Sequence, residues 1–165
     1  MKQRVILHSL FRAGSTFFFN KYRNLENHIC FYEPFHHDLV KIRRNKIQIW
    51  DFDEKTTSKM NHPNLKKSHF HEFSNCFHDS NELPFFKKSF SYDEFSYVQN
   101  DREMIDYINN LSFEFDKNRH ILQFNRTSLR IDWFKRNFEN TLNVALIRNP
   151  RDQFESYIAS KMPIF

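Results

Sequence analysis

One glycine, Gly14, serves all 165 residues of this chain. It lies in Phe11-Arg12-Ala13-Gly14-Ser15-Thr16, between an apolar run over Val5 to Leu10 and a helix-like segment from Ser15 to about Asn24. A chain that spends glycine once is expected to place it where a side chain is not tolerated. The spacing predicts a phosphate-binding turn: a strand ends, the backbone turns tightly, and the next helix opens with free N–H groups and its positive dipole end. Arg12 adds a full charge beside the turn, and Ser15 and Thr16 can add hydroxyl donors. A capping Gly-Ser-Thr at an ordinary strand-to-helix turn is the plainer alternative, since short glycine motifs are weak evidence alone.

Strand-like and helix-like stretches alternate along the rest of the chain, which points to an α/β fold with a mainly parallel β-sheet flanked by helices. Ile29 to Tyr32 reads as a second strand closed by Glu33-Pro34, because proline lacks the N–H needed to continue. Asn100 to Leu111 carries Met104, Ile105, Ile108 and Leu111 at helical spacing. Ile121 to Phe124 is a strand, and Thr127 to Phe138 a helix with Leu129, Trp133, Phe134 and Phe138 on one face. Leu142 to Ile147 is nearly all apolar, as expected of a central strand covered on both faces. The last helix has Asn149 as N-cap and Pro150 at its first position, with Phe154, Tyr157, Ile158 and Met162 on its buried side.

Composition narrows the class. One domain spanning 1–165 is expected, with a poorly legible insertion at about 41–98 that holds a basic run (Lys41, Arg43, Arg44, Lys46) and a possible strand over Ile47 to Trp50. Apolar residues make up 39% of the chain and 21 residues are Phe, which excludes a compositionally disordered chain. A formal charge of +5, from 25 basic against 20 acidic residues, is a modest excess that an anionic nucleotide accounts for as well as nucleic acid does. Two cysteines, Cys30 and Cys76, make no disulfide framework, and reduced thiols are expected. No run approaches the roughly 18 to 20 apolar residues of a membrane span, and the N-terminus lacks a signal-peptide core, so a cytoplasmic chain is expected.

The Walker pattern fails at the Gly14 turn. It needs Gly, four residues, Gly, Lys, then Ser or Thr, and here Ser9 occupies the first glycine position and Ser15 the lysine position. ATP or GTP hydrolysis is therefore disfavoured. The remaining Arg12-Ala13-Gly14-Ser15-Thr16-Phe17 resembles the 5′-phosphosulfate loop of sulfotransferases that use 3′-phosphoadenosine 5′-phosphosulfate (PAPS). Val144-Ala145-Leu146-Ile147-Arg148-Asn149-Pro150-Arg151-Asp152-Gln153-Phe154-Glu155-Ser156-Tyr157 is similar to that family's 3′-phosphate motif, in which an Arg ends a strand and a Ser follows eight positions later. Arg148 and Ser156 stand at that spacing. Phe31-Tyr32-Glu33-Pro34-Phe35-His36 and Leu122-Gln123-Phe124-Asn125-Arg126 resemble stretches of carbohydrate and bacterial members.

The resemblance implies a P-loop-containing, sulfotransferase-like nucleotide-binding fold, with PAPS as sulfuryl donor and no metal requirement. Arg12, Ala13, Gly14, Ser15, Thr16 and Phe17 would hold the phosphosulfate, and Arg148 and Ser156 the 3′-phosphate. Arg12 would also stabilise the leaving group, and Glu33 would serve as general base with His36 as second choice. The acceptor would be a carbohydrate or other small molecule bearing a hydroxyl, with no nucleic-acid partner. Relatives usually continue beyond the 3′-phosphate helix, so a compact member, a fragment and a degenerate copy all fit, and activity is less firmly implied than fold. The alternatives are a non-catalytic nucleotide-binding or interaction module, and a basic nucleic-acid-binding domain built on residues 41–46. His69, His71, Cys76 and His78 offer metal-type ligands at a spacing that fits no standard zinc pattern, so a polar, aromatic-rich insertion is expected there.

Overall fold

The structure, a computed structural model, describes residues 4–44, 67–77, 80–92, 102–113 and 119–159. Four strands, β1 (Arg4–Ser9), β2 (His28–Tyr32), β3 (Arg119–Phe124) and β4 (Thr141–Leu146), form one sheet in the order β2-β3-β1-β4. Every pairing in it is parallel, as the alternation of elements requires. The register is nearly level at the carboxyl ends: Tyr32 faces Gln123, His8 faces both Phe124 and Ala145, and Ser9 faces Leu146. Whatever follows each strand is thereby delivered to one edge of the sheet. Because the chain leaves β1 toward β2 on one side, while β4 lies on the other, the end of β1 is a switch point of the kind where open α/β sheets hold ligands.

The helices are α1 (Ser15–Arg23), α2 (Arg102–Phe113), α3 (Ile131–Asn137) and α4 (Pro150–Ala159). Ile6, Phe31 and Leu122 meet across β1, β2 and β3 and are fully buried. Phe19 of α1, Tyr107 and Ile108 of α2 and Phe134 of α3 join them in one core. Phenylalanine dominates that core: Phe35 packs within 6.4 Å of Phe90, Phe124, Phe134 and Tyr107, and the Tyr107 hydroxyl donates to the Pro34 carbonyl at 2.8 Å. Part of the insertion is bound to this body. Arg23 of α1 makes a paired contact with Glu72, Nε to Oε1 at 2.6 Å and a second nitrogen to Oε2 at 2.7 Å, and also donates to the carbonyls of Lys67 and Ser68.

Three expectations need correction. Residues 142–147 do not form a central strand: β4 pairs only with β1 among the described residues, its burial alternates, and Leu142 (47% exposed) and Val144 (38%) face outward. The helix expected over 127–138 begins at Ile131, because Thr127 and Ser128 are committed to β1. The Thr127 hydroxyl meets His8 Nδ1 at 2.7 Å, and the Ser128 hydroxyl donates to the Ser9 carbonyl at 3.0 Å, which leaves Leu129 exposed. On α4, Phe154 and Ile158 are exposed rather than buried. Its start is as expected, with the Asn149 side chain accepting from the Arg151 amide at 2.9 Å. The possible strand at 47–50, Lys46, His78 and Met162 lie outside the described residues.

Candidate functional site

Gly14 adopts a left-handed conformation (φ 93°, ψ 13°) directly before α1, and no side chain caps the helix. Its role is conformational rather than steric: a Cβ built there would meet nothing within 4 Å, so the expectation that no side chain fits is corrected to one that no L side chain takes this backbone cheaply. Arg12 also has a positive φ, 64°. The first amides of α1 consequently open toward the carboxyl edge of the sheet, uncapped.

The two sequence motifs, more than 130 positions apart, meet here. Arg12 donates to the Ser156 hydroxyl from Nε at 3.3 Å and from a terminal nitrogen at 3.1 Å. Arg148 donates to the Arg12 carbonyl at 3.1 Å, and Gln153 to the Phe11 carbonyl. Two guanidinium groups therefore share one corner, and partial burial together with the Arg148 charge lowers the Arg12 pKa. An anion placed between them would relieve that repulsion and accept from both forks.

Ser15 and Thr16 are not loose donors. Both are buried, Ser15 giving its proton to Asn125 Oδ1 at 2.9 Å and Thr16 lying 3.3 Å from the Tyr32 hydroxyl. Ala13 is buried behind the turn, while Phe17 is exposed, with Lys21 over its ring. Phe17 thus stands on the outer face of α1, away from its buried side.

Asn125, given no role by sequence reasoning, is the centre of a buried hydrogen-bond network at the carboxyl edge of the sheet. Its Oδ1 accepts from Ser9 at 2.6 Å, Ser15 at 2.9 Å and Gln123 at 2.8 Å, and its amide donates to Glu33 Oε1 at 2.5 Å. Ser9 also lies 3.0 Å from the Phe124 carbonyl, so it can relieve the crowded oxygen. One side chain ties β1, α1, β3 and the end of β2 together. The signal available in the sequence was a polar Gln123-Phe124-Asn125-Arg126 closing an otherwise apolar strand.

Glu33 is 5% exposed, has a positive φ of 41°, and leaves Oε2 buried without a hydrogen-bond partner. Burial pushes its pKa up to about 7, against the lowering effect of the Arg126 charge. A carboxylate that changes charge near neutrality, in a strained backbone at the end of a strand, has the properties of an acid–base group. His36 is also largely buried, and burial together with His37 pulls it down to about 4. Arg126 acts on both and sits over the Phe11 ring at 5.1 Å.

The basic run is engaged locally where it is described: Lys41 pairs with Asp38 at 2.6 Å and Arg43 with Glu82 at 3.1 Å. His69 packs edge-on against Tyr32, and Cys76 is buried in the core. Among the described residues these two do not fall into a cluster of metal ligands with His71. No described helix is long and apolar enough to cross a membrane. Comparison with family models, with curated proteins and with solved structures finds no match.

Proposed function

We propose that this chain binds PAPS at the carboxyl edge of its sheet and transfers the sulfuryl group to an acceptor hydroxyl, a carbohydrate or another small molecule. The observation that carries this reading is the Arg12 to Ser156 contact, which brings the Gly14 turn and the Arg148-Ser156 pair, each resembling one end of a PAPS site, into a single corner. A donor with anionic groups at both ends of its ribose matches two basic anchors better than a singly anchored nucleotide does.

The residues present fit such a ligand. Arg12 and the uncapped amides of α1 would hold the phosphosulfate, and Arg148 and Ser156 the 3′-phosphate. Bound PAPS supplies an activated sulfuryl group whose bridging oxygen takes up charge as the bond to sulfur breaks. Arg12 stabilises that charge electrostatically. Glu33 takes the acceptor proton as the new oxygen–sulfur bond forms, and its pKa near 7 suits it to this work at neutral pH better than His36, whose basicity is far lower. Asn125 keeps the Glu33 carboxylate in place through its amide. None of these steps calls for a metal.

A thermal-shift titration tests the binding half. 3′-Phosphoadenosine 5′-phosphate should raise the melting temperature more than AMP or ATP at equal concentration, and Arg148→Ala should abolish the difference. Equal shifts with all three nucleotides, or an unaltered preference in Arg148→Ala, would overturn the assignment of the second anchor.

A further inference from the structure

The turn after β2 gathers three ligand-type side chains at the carboxyl edge of the sheet. His36 begins the short 3-10 turn His37–Lys41, and one ligand atom from each of His36, His37 and Asp38 lies within 4.8 Å of the others. The two imidazoles stack, with centroids 4.6 Å apart and planes 20° from parallel. Asp38 divides its carboxylate. Oδ1 is held by Lys41 Nζ at 2.6 Å, and Oδ2 lies 3.9 Å from His36 Nδ1 and 3.8 Å from His37 Nε2.

A plain capping turn explains part of this arrangement. His36 Nδ1 accepts from the Asp38 amide at 3.2 Å, and an aspartate paired to a lysine three residues on is ordinary. Capping does not require His37, half exposed, to bring its Nε2 to the same carboxylate oxygen. The amide bond also fixes His36 Nδ1 as the nitrogen carrying a lone pair, which is the form a metal takes.

We propose that His36, His37 and Asp38 form a three-ligand site for a borderline divalent transition ion, with zinc the best fit. Two imidazoles and one carboxylate suit zinc, whereas calcium and magnesium prefer all-oxygen shells. Ligand bonds of about 2.0–2.2 Å in a tetrahedral site set the ligand atoms roughly 3.4 Å apart. The histidine-to-carboxylate separations of 3.9 and 3.8 Å need to close by about half an ångström to reach that spacing, and the widest separation in the trio, up to 4.8 Å, closes when the half-exposed His37 ring turns out of its stack on His36. Lys41 orients the carboxylate from behind, and three protein ligands leave a position for water or a solute. The ion would exchange the Asp38 amide for a metal bond at His36. This site stands independently of the sulfuryl-transfer reading.

The test uses tag-free protein stripped with a chelator, titrated with Co²⁺ by visible absorption and with Zn²⁺ by calorimetry. One micromolar Zn²⁺ site per chain is expected, with Co²⁺ bands of a four- or five-coordinate ion that Zn²⁺ displaces. Asp38→Asn should weaken binding by at least about tenfold, and so should His37→Asn, whose partial exposure makes it safe for folding. The chain has nine histidines, so His71→Asn serves as control and should bind like the unaltered protein. Absence of saturable binding, or a site lost in His71→Asn and kept in His37→Asn, overturns the proposal.

Discussion

Gly14 and Glu33 both hold left-handed backbone, for opposite reasons. At Gly14 the space around the missing Cβ is open, so Gly14→Ala meets only the conformational penalty of its φ of 93°. We expect a loss of about 1–2 kcal/mol in urea unfolding, with no change in the cooperativity of the transition. Glu33 carries a non-glycine side chain at φ 41° and a carboxyl whose pKa is raised to about 7. For an acid raised in this direction the folded state holds its proton more tightly than the unfolded state. Stability is therefore greatest below the ordinary carboxylate range, declines as pH rises toward 7, and is level above that. Glu33→Gln keeps an acceptor for the Asn125 amide and removes the ionisation. It should gain on the order of 3 kcal/mol over the unaltered protein between pH 4 and pH 8 while losing sulfuryl transfer. Parallel denaturation curves at the two pH values, with no growth in the difference, would show that burial does not raise this carboxyl.

The strands and helices differ in how openly the sequence announced them. β1, β2, β3 and α1 lie within about two residues of their expected ends because apolar periodicity, Pro34 and Gly14 are local signals. In α2 the predicted stripe is realised, with Met104, Ile108 and Leu111 all buried. The start of α3 was hidden, since Thr127 and Ser128 are fixed by partners on β1 over a hundred positions earlier. At the carboxyl edge, the Gly14 turn and Glu33 stood out as motifs, whereas Asn125 lay in a stretch that resembled the family without a role of its own, because its importance lies in where three other segments end. His8 has the same character. It interrupts an apolar run, yet it is buried between Thr127 and Asn143 with a partner on each ring nitrogen. The attachment of the insertion was illegible for a related reason: a surface-type arginine at the end of α1 meets a carboxylate 49 positions on. Arg23→Ala leaves Glu72 without its partner and should cost about 3–5 kcal/mol, with faster hydrogen exchange across residues 67–77. Removing both charges should cost less than removing Arg23 alone, a coupling that a double-mutant cycle measures.

The molecule is asymmetric about β1. On the β2-β3 side every strand feeds one aromatic core, while on the β4 side Leu142, Val144, Ile147, Phe154 and Ile158 all meet solvent. The apolar character of residues 142–147 was plain in the sequence, but such a run reports what a strand is able to cover, not which neighbours it has. Phe154→Lys and Ile158→Lys should each change stability by no more than about 0.5 kcal/mol, since both side chains are more than half exposed. A shift of several degrees in melting temperature from either substitution would mean that this face is closed in solution. The Asn125 knot gives the asymmetry a further meaning. A single carboxamide stitches three strand tails to a helix, so that edge of the sheet resists remodelling: exchanging its chemistry would unpick the very seam that holds those tails level. Across from it, Arg148 just before α4 and Ser156 on that helix, which buries no side chain, can be substituted at little structural risk, so that side is where the anion preference we propose is open to change.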